Sequence, residues 1–147
     1  MQEIISKSVE QTRQAGAELS RKLSPPAVVA LIGELGSGKT EFVRGFVASR
    51  LGNAQAVSSP TFVLWQQYAA AENLINHLDL YRLNDAAEIL ELGFLEIFQE
   101  KGNITLIEWA EKISDYLPDY TVVVNFTHIN EYTRKITIGK ITDKRFD

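Results

Sequence analysis

Hydrophobic and polar positions near the start of the chain follow the period of a helix. Apolar or small residues recur on one helical face at Val9, Thr12, Gly16, Leu19 and Leu23. Ser8 and Gln11 have the spacing of a capping box, which predicts a helix that begins near Ser8. Pro25-Pro26 cannot continue a helix and predicts its end.

A strand and a second helix are predicted next. The segment AVVALI (27–32) is apolar on both strand faces, which is typical of a strand in the middle of a sheet. After Lys39 the apolar positions recur at helical spacing, and Gly52 supplies a C-terminal stop. The residues of that apolar stripe are Phe42, Val43, Phe46, Val47 and Leu51.

The remaining pattern predicts short elements. Strands are expected at 61–68, 74–81, 104–108 and, as a terminal hairpin, at 121–129 and 132–141. Short helices are expected between Asp85 and Gly93, over 94–98 and over 110–116. The brief connection between the first two of these strands favours antiparallel pairing. We therefore predict an α/β fold with a mixed sheet flanked by helices and a C-terminal β-hairpin.

Length and charge limit the possible functions. A chain of 147 residues suits one domain, 1–147. Its net charge of −4 argues against a broad electrostatic nucleic-acid surface, and the lack of cysteine excludes a disulfide scaffold, a thiolate metal site and a Cys nucleophile. The longest apolar run is far shorter than a membrane span, and the sequence MQEIISKSVE has no apolar signal core. We therefore expect a cytoplasmic protein.

The segment Gly33–Thr40, GELGSGKT, matches the phosphate-binding pattern G-x-x-x-x-G-K-[ST] in full. Glycines let backbone N–H groups approach phosphate oxygens, and the start of the following helix adds partial positive charge. The Lys39 ammonium can reach the β- and γ-phosphates, and the Thr40 hydroxyl is a hard ligand suited to Mg²⁺. The sequence thus predicts a nucleoside triphosphate bound with Mg²⁺.

A magnesium site beside this loop also needs an acid, and two acids follow apolar strands. Glu108 ends ITLIE and best fits an acid at the carboxyl end of a strand beside the loop. Asp79 lies in HLDLYR and is an alternative ligand or a group that positions water. Thr61 lies in SSPTF, which is either a switch segment that senses the γ-phosphate or a capped turn that leads into a strand. Trp109 either lines the nucleotide pocket or packs in the core, and Arg134 either contacts the nucleotide or lies on a solvated face.

The choice among phosphate-loop proteins narrows by elimination. No N-K-x-D sequence is present to specify guanine, which favours ATP over GTP. A metabolite kinase would normally add an arginine-rich lid, for which the chain has no obvious space. A small kinase and a non-catalytic, nucleotide-gated binding module remain the alternatives to an ATPase.

The ordered motifs identify a resemblance. GELGSGKT, SSPTF, HLDLYRL at 77–83, ELGF at 91–94 and IEWAEK at 107–112 together resemble the TsaE (YjeE) family. The resemblance covers nearly the whole chain. It implies a small bacterial ATPase that is needed for N6-threonylcarbamoyladenosine in tRNAs reading codons that begin with A. It also implies slow ATP hydrolysis that is stimulated by a TsaD–TsaB partner complex.

The resemblance assigns roles to individual residues. It implies that the triphosphate is held by Leu35, Gly36, Ser37, Gly38, Lys39 and Thr40, and that Thr40 and Glu108 bind Mg²⁺. Thr12 and Arg134 would lie near the nucleotide. Lys39, Asp79 and Thr61 would take part in hydrolysis or switching. We expect the chain to be a monomer on its own and to meet tRNA only through the partner complex, since its net charge is negative.

Overall fold

The central feature of the structure is one seven-stranded mixed sheet with the strand order β1-β7-β6-β2-β5-β4-β3. The structure is a computed structural model that describes residues 2–52, 65–70 and 73–141. Its strands are β1 Gln2–Ser6, β2 Ala27–Ile32, β3 Trp65–Ala69, β4 Leu74–Asp79, β5 Asn103–Glu108, β6 Val122–His128 and β7 Arg134–Lys140. The α/β fold with a mixed sheet, expected from the sequence, is confirmed, as is the closing hairpin of β6 and β7.

In the described part of the chain, two long helices and three short ones flank the sheet. The α-helices are α1 Val9–Lys22, α2 Lys39–Leu51, α3 Ala86–Glu91 and α4 Phe94–Ile97, and a 3-10 helix spans Ala110–Tyr116. The caps predicted from the sequence are present: the Ser8 side chain accepts a hydrogen bond from the amide of Gln11, and Gly52 ends α2 in the left-handed conformation. No helix in the described ranges is long and apolar enough to cross a membrane.

The four inner strands are parallel, and this arrangement creates one functional edge. β2 pairs with β5 and β6, and β5 also pairs with β4, all in parallel register. Their carboxyl ends therefore meet at the same edge of the sheet, where open α/β sheets bind ligands. The antiparallel strands lie outside this group, with β3 on one side and β7 and β1 on the other.

Each face of the sheet carries its own core. The α1 and α2 helices cover one face and pack on alternate residues of the inner strands, among them Val29, Leu31 and Leu106. The short helices cover the other face, which contains Val28 and Ile107. The fully apolar sequence of β2 is explained by this sandwich, because all six of its residues are buried.

Helices α1 and α2 approach each other at two glycines. A Cβ placed on Gly16 would lie 2.0 Å from the carbonyl oxygen of Phe42, and one on Gly45 would lie 1.8 Å from the carbonyl oxygen of Arg13. Only glycine permits backbone contact of this kind. The close approach brings the first turns of both helices to the same edge of the sheet.

Several details differ from the sequence prediction. Strand β1 was not expected, and it extends the sheet by pairing with β7. Val9, placed on the buried face of α1 by its spacing, is 52% exposed. The strand predicted over 74–81 ends at Asp79, because the chain turns there. Of the strand predicted over 61–68, residues 61–64 lie outside the described part of the chain.

Candidate functional site

The glycine-rich loop joins the buried strand β2 to the start of α2. Gly36 and Gly38 have φ values of 76° and 108°, which L side chains rarely adopt. A Cβ on Gly38 would also lie 3.6 Å from side-chain carbons of both Arg134 and Thr12. The two glycines therefore meet a conformational requirement, and the loop delivers the start of a helix of more than two turns to the strand edge.

Lys39 is held inside this loop. Its ammonium donates a hydrogen bond to the carbonyl oxygen of Gly33 and lies 3.8 Å from the ring centroid of Trp109. Burial lowers the pKa of Lys39, while the nearby carboxylates of Glu108, Glu111 and Asp79 act in the opposite direction. The lysine is thus a desolvated cation directed at the place where phosphates would lie.

Asp79 and Glu108 stand side by side at the ends of β4 and β5. They are direct register partners in the parallel pairing, and their exposed fractions are only 5% and 3%. Burial raises the pKa of Asp79, and the neighbouring Glu108 charge adds to that rise. The Tyr81 amide, which donates to Asp79 Oδ1 at 2.9 Å, opposes it. Two buried carboxylates at one edge form a region of high negative potential that a cation would stabilise.

His77 contacts the second of these acids. Its Nε2 lies 2.7 Å from Glu108 Oε2, and the His77 side chain is fully buried. An ionised carboxylate only accepts hydrogen bonds, so Nε2 carries the proton in this pair. The structure thus places His77 in the core as a partner of Glu108.

The opposite wall comes from α1 and β7. The Ser6 hydroxyl donates to the Ser8 carbonyl oxygen at 2.9 Å and lies 2.7 Å from Thr12 Oγ1, so the Thr12 hydroxyl donates to Ser6. This leaves the Thr12 oxygen free to accept from a ligand. Arg134 Nη2 lies 3.4 Å from the Gly36 carbonyl oxygen, which places a guanidinium against the glycine-rich loop.

Aromatic rings form the floor beside the acids. Trp109 has a φ of 61°, a left-handed conformation that turns the chain immediately after Glu108. Its ring centroid lies 5.2 Å from that of Tyr81. The position of Trp109 is compatible with both roles weighed from the sequence, because the residue lines the cavity next to the Lys39 ammonium and also packs against the core of this face of the sheet.

These walls enclose one cavity of about 290 Å³. Nearly all of the site residues expected from the sequence line it, namely Thr12, Leu35, Gly36, Gly38, Lys39, Thr40, Asp79, Glu108, Trp109 and Arg134. Ser37 does not line it, because its side chain is buried and its amide donates to the Glu34 carbonyl oxygen at 3.0 Å. Thr61 lies outside the described residues.

Several lining residues escaped the sequence reasoning. These are Lys7, Ser8, Val9, Glu41, Tyr81, Glu131 and Tyr132. The helix cap at Ser8 was visible in the sequence, but nothing indicated that it would face the glycine-rich loop. Tyr132 had only a turn signal, at Asn130-Glu131, and the structure shows it 72% exposed at the rim. Tyr81 is two residues after Asp79, so the prediction of Asp79 as a site residue could have indicated that Tyr81 lies near the site.

A metal would not be held by protein carboxylates and imidazoles alone. No group of three or more His, Cys, Asp and Glu side chains suited to a metal ion occurs among the residues that the structure describes. Mg²⁺ in nucleotide sites usually takes one or two carboxylates and completes its shell with phosphate oxygens and water. Thr40, Asp79 and Glu108, which all carry side-chain oxygen atoms, line one cavity and fit this pattern of few protein ligands.

Comparisons with known proteins agree on one family. The family model described as "Threonylcarbamoyl adenosine biosynthesis protein TsaE" matches residues 6–136. A protein of Rickettsia conorii named tRNA threonylcarbamoyladenosine biosynthesis protein TsaE is 40% identical over 131 residues, which cover 89% of this chain and 74% of that protein. A Bacillus subtilis protein of the same name is 33% identical, over 92% of this chain and 83% of the relative.

A solved structure supports the same assignment. The crystal structure of YdiB from Bacillus subtilis superposes with a TM-score of 0.75 at 25% sequence identity, covering 93% of this chain and 83% of that chain. The match with the family model runs from the last residue of β1 into β7 and so includes every wall of the cavity. The glycine-rich loop, the two strand-end acids and these similarities together lead to one conclusion: the chain belongs to the TsaE family.

Proposed function

We propose that this protein is a Mg²⁺-dependent ATPase that serves N6-threonylcarbamoyladenosine modification of tRNAs reading codons that begin with A. The observation that carries the proposal is the meeting of a complete phosphate loop with two buried strand-end carboxylates in one cavity. The names of the TsaE relatives supply the process, tRNA threonylcarbamoyladenosine biosynthesis.

The triphosphate lies along the glycine-rich loop in this proposal. The backbone N–H groups that donate to the phosphate oxygens come from the loop residues that line the cavity, namely Leu35, Gly36, Gly38, Lys39 and Thr40, and Ser37 joins them if its amide leaves the Glu34 carbonyl oxygen. The Lys39 ammonium leaves the Gly33 carbonyl for the β- and γ-phosphates. Arg134 approaches from the β7 side, and Thr12 offers a hydroxyl oxygen from α1. Trp109 shields the lysine from water on the remaining side.

Thr40 and Glu108 would hold Mg²⁺, with Asp79 beside them. His77 occupies Oε2 of Glu108, so the other carboxylate oxygen remains for the cation. The fit rests on the paired burial of two like charges, which the single charge of Lys39 offsets only in part. When bound, the ion would neutralise charge on the phosphate oxygens during hydrolysis.

Asp79 orients the attacking water and accepts its proton. A carboxylate whose pKa is raised by burial is a better proton acceptor than an exposed one. The Tyr81 amide fixes one of its oxygens and leaves the other for water. Thr61 is the expected sensor of the γ-phosphate in this scheme.

Partner proteins complete the activity. The net charge of −4 suits a protein that does not bind tRNA directly. In this proposal the nucleotide occupies the cavity, so the cavity is not a site for a second substrate. We infer that a cytoplasmic monomer docks on TsaD–TsaB in one nucleotide state. ATP hydrolysis, slow in the free protein and faster in the complex, then resets that complex between turnovers.

The test is multiple-turnover tRNA modification by reconstituted TsaD–TsaB with the threonylcarbamoyl donor. Wild-type protein and a control Lys101→Ala, whose lysine is exposed, should support repeated turnover, and Lys39→Ala should not. Full activity of Lys39→Ala would refute the proposal. Single-turnover measurements with labelled ATP separate the alternatives: a binding module leaves ATP intact, and a kinase transfers its phosphate to an acceptor.

A further inference from the structure

Lys112 is the centre of a hydrogen-bond cluster outside the nucleotide-binding groups. Its ammonium donates to three backbone carbonyl oxygens of the turn that follows β4: Leu80 at 2.8 Å, Tyr81 at 2.6 Å and Leu83 at 2.7 Å. An ammonium has three protons, and each proton here has an acceptor. Lys112 belongs to the IEWAEK segment, in which no role was assigned to it from the sequence.

The 80–83 turn depends electrostatically on this cation. Three carbonyl oxygens that point to one position repel each other unless a positive charge lies between them. Bonds to charged donors are also shorter and stronger than neutral ones. Without the ammonium, the three carbonyl groups would gain hydrogen bonds by turning towards water, and the turn would open.

The turn is directly joined to the acids of the cavity. The Leu80 amide donates to the Glu108 carbonyl oxygen at 3.1 Å, and the Tyr81 amide donates to the Asp79 carboxylate at 2.9 Å. The Tyr81 ring contacts Trp109, which lies one residue after Glu108. Lys112 lies in the 3-10 helix that begins after Trp109, and its amide donates to the Trp109 carbonyl oxygen at 3.2 Å. It therefore ties the end of β4 to the end of β5.

We propose that Lys112 is a positioning residue that fixes the 80–83 turn and, through the Tyr81 amide, the orientation of the Asp79 carboxylate. The consequence for hydrolysis rests on the proposed function, in which Asp79 orients water. The consequence for the turn does not, because it follows from the three carbonyl contacts alone. A residue with this role affects the chemical step more than nucleotide binding, since the hydrogen bonds of its ammonium go to the 80–83 turn and not to the glycine-rich loop or to Lys39.

The experiment uses Lys112→Met, which keeps the length of the side chain and removes its three donors. The control is Lys101→Met, which makes the same change at an exposed lysine. Hydrogen–deuterium exchange is measured without nucleotide at the amides of Leu80, Tyr81 and Leu83. We expect exchange there to rise about tenfold or more in Lys112→Met, with β2 and α2 unchanged and the control like wild type.

A second pair of measurements reports on positioning. ATP hydrolysis should fall about tenfold or more, while affinity for a fluorescent ATP analogue should change less than about twofold. Equal losses of hydrolysis and affinity, or wild-type exchange in the turn, would overturn the proposal. If wild-type protein hydrolyses no ATP, the proposed function fails and the exchange result still decides the role of Lys112.

One further variant covers the case in which Lys112→Met does not fold. Lys112→Arg keeps the charge but replaces a compact ammonium with a planar group, which cannot direct three protons at converging carbonyls. Its exchange at the same amides should lie above that of Lys101→Met. Exchange equal to that of the control would refute the proposal that the Lys112 ammonium fixes the 80–83 turn.

Discussion

Replacing Gly45 with alanine tests whether backbone contact between α1 and α2 sets the geometry of the nucleotide site. The new Cβ would lie 1.8 Å from the carbonyl oxygen of Arg13, and ordinary contact begins near 3.4 Å. Relief requires a displacement of about 1.6 Å between the two helices, because the obstacle is backbone and not the end of a flexible side chain. The next residue back along α1 is Thr12, which lines the cavity, so the displacement reaches the ligand wall.

The expected loss follows from two opposing terms. Forcing an extra methyl into a packed contact costs about 3 kcal/mol, and the better helix propensity of alanine returns about 1 kcal/mol. A net loss of about 2 kcal/mol lowers the melting temperature by about 4–8 °C in a chain of this size. Affinity for an ATP analogue should fall as well, since Thr12 moves with α1.

The matched control is Gly102→Ala. This glycine has nothing within 4 Å of its Cβ position and no positive φ, so the same substitution should leave stability unchanged or raise it by about 0.4–1 kcal/mol. Urea and thermal unfolding of the three proteins decide the matter. A Gly45→Ala protein as stable as wild type, with unchanged nucleotide affinity, would refute the reasoning.

Three further predictions concern the charges of the site. Asp79→Asn should abolish hydrolysis and stabilise the nucleotide-free protein, because burial raises the Asp79 pKa and so penalises the charged carboxylate. The increase in the free energy of unfolding of Asp79→Asn over wild type should be full above that raised pKa, shrink as the pH falls through it, and vanish below the unfolded value near 3.8. As the pH rises, nucleotide affinity measured by calorimetry should begin to fall below the ordinary lysine value of 10.5, because the Lys39 pKa is lowered and the ammonium loses its charge early. Arginine stays charged over this range, so the same decline in Lys39→Arg would contradict the prediction. His77→Leu should cost about 1–3 kcal/mol in urea unfolding, because Glu108 loses a buried donor, and no loss would show that the pair is energetically neutral.

Local sequence signals predicted the elements that carry the phosphate chemistry. Three segments could be predicted from their own residues alone: the apolar run of β2, the glycine-rich loop and the apolar stripe of α2. In each of them the pattern that predicts the structure lies within a few consecutive residues. The acid at the end of β5 could be predicted for the same reason. Each of these signals lies within one short continuous segment of the chain, so none of them required knowledge of how distant segments pair.

Features that depend on pairing between distant segments could not be predicted. Strand β1 holds few apolar residues and exists as a strand because β7 supplies its hydrogen bonds. The bond between His77 and Glu108 follows from the register of β4 on β5, which the sequence does not state. Lys112 resembled any solvated lysine until the 80–83 turn was seen around it.

The pairing of β1 with β7 also has a consequence for the order of folding. Gln2 is paired with Ile138, and the cavity needs Thr12 from near one end of that separation and Arg134 from near the other. Contacts this far apart in sequence form slowly and late. During synthesis the phosphate loop and α2 leave the ribosome long before Arg134 does. A nascent chain therefore passes through a period in which the glycine-rich loop has been made but the wall of the cavity that Arg134 supplies has not. ATP would favour the last step of folding, because it binds the completed cavity and not the incomplete one.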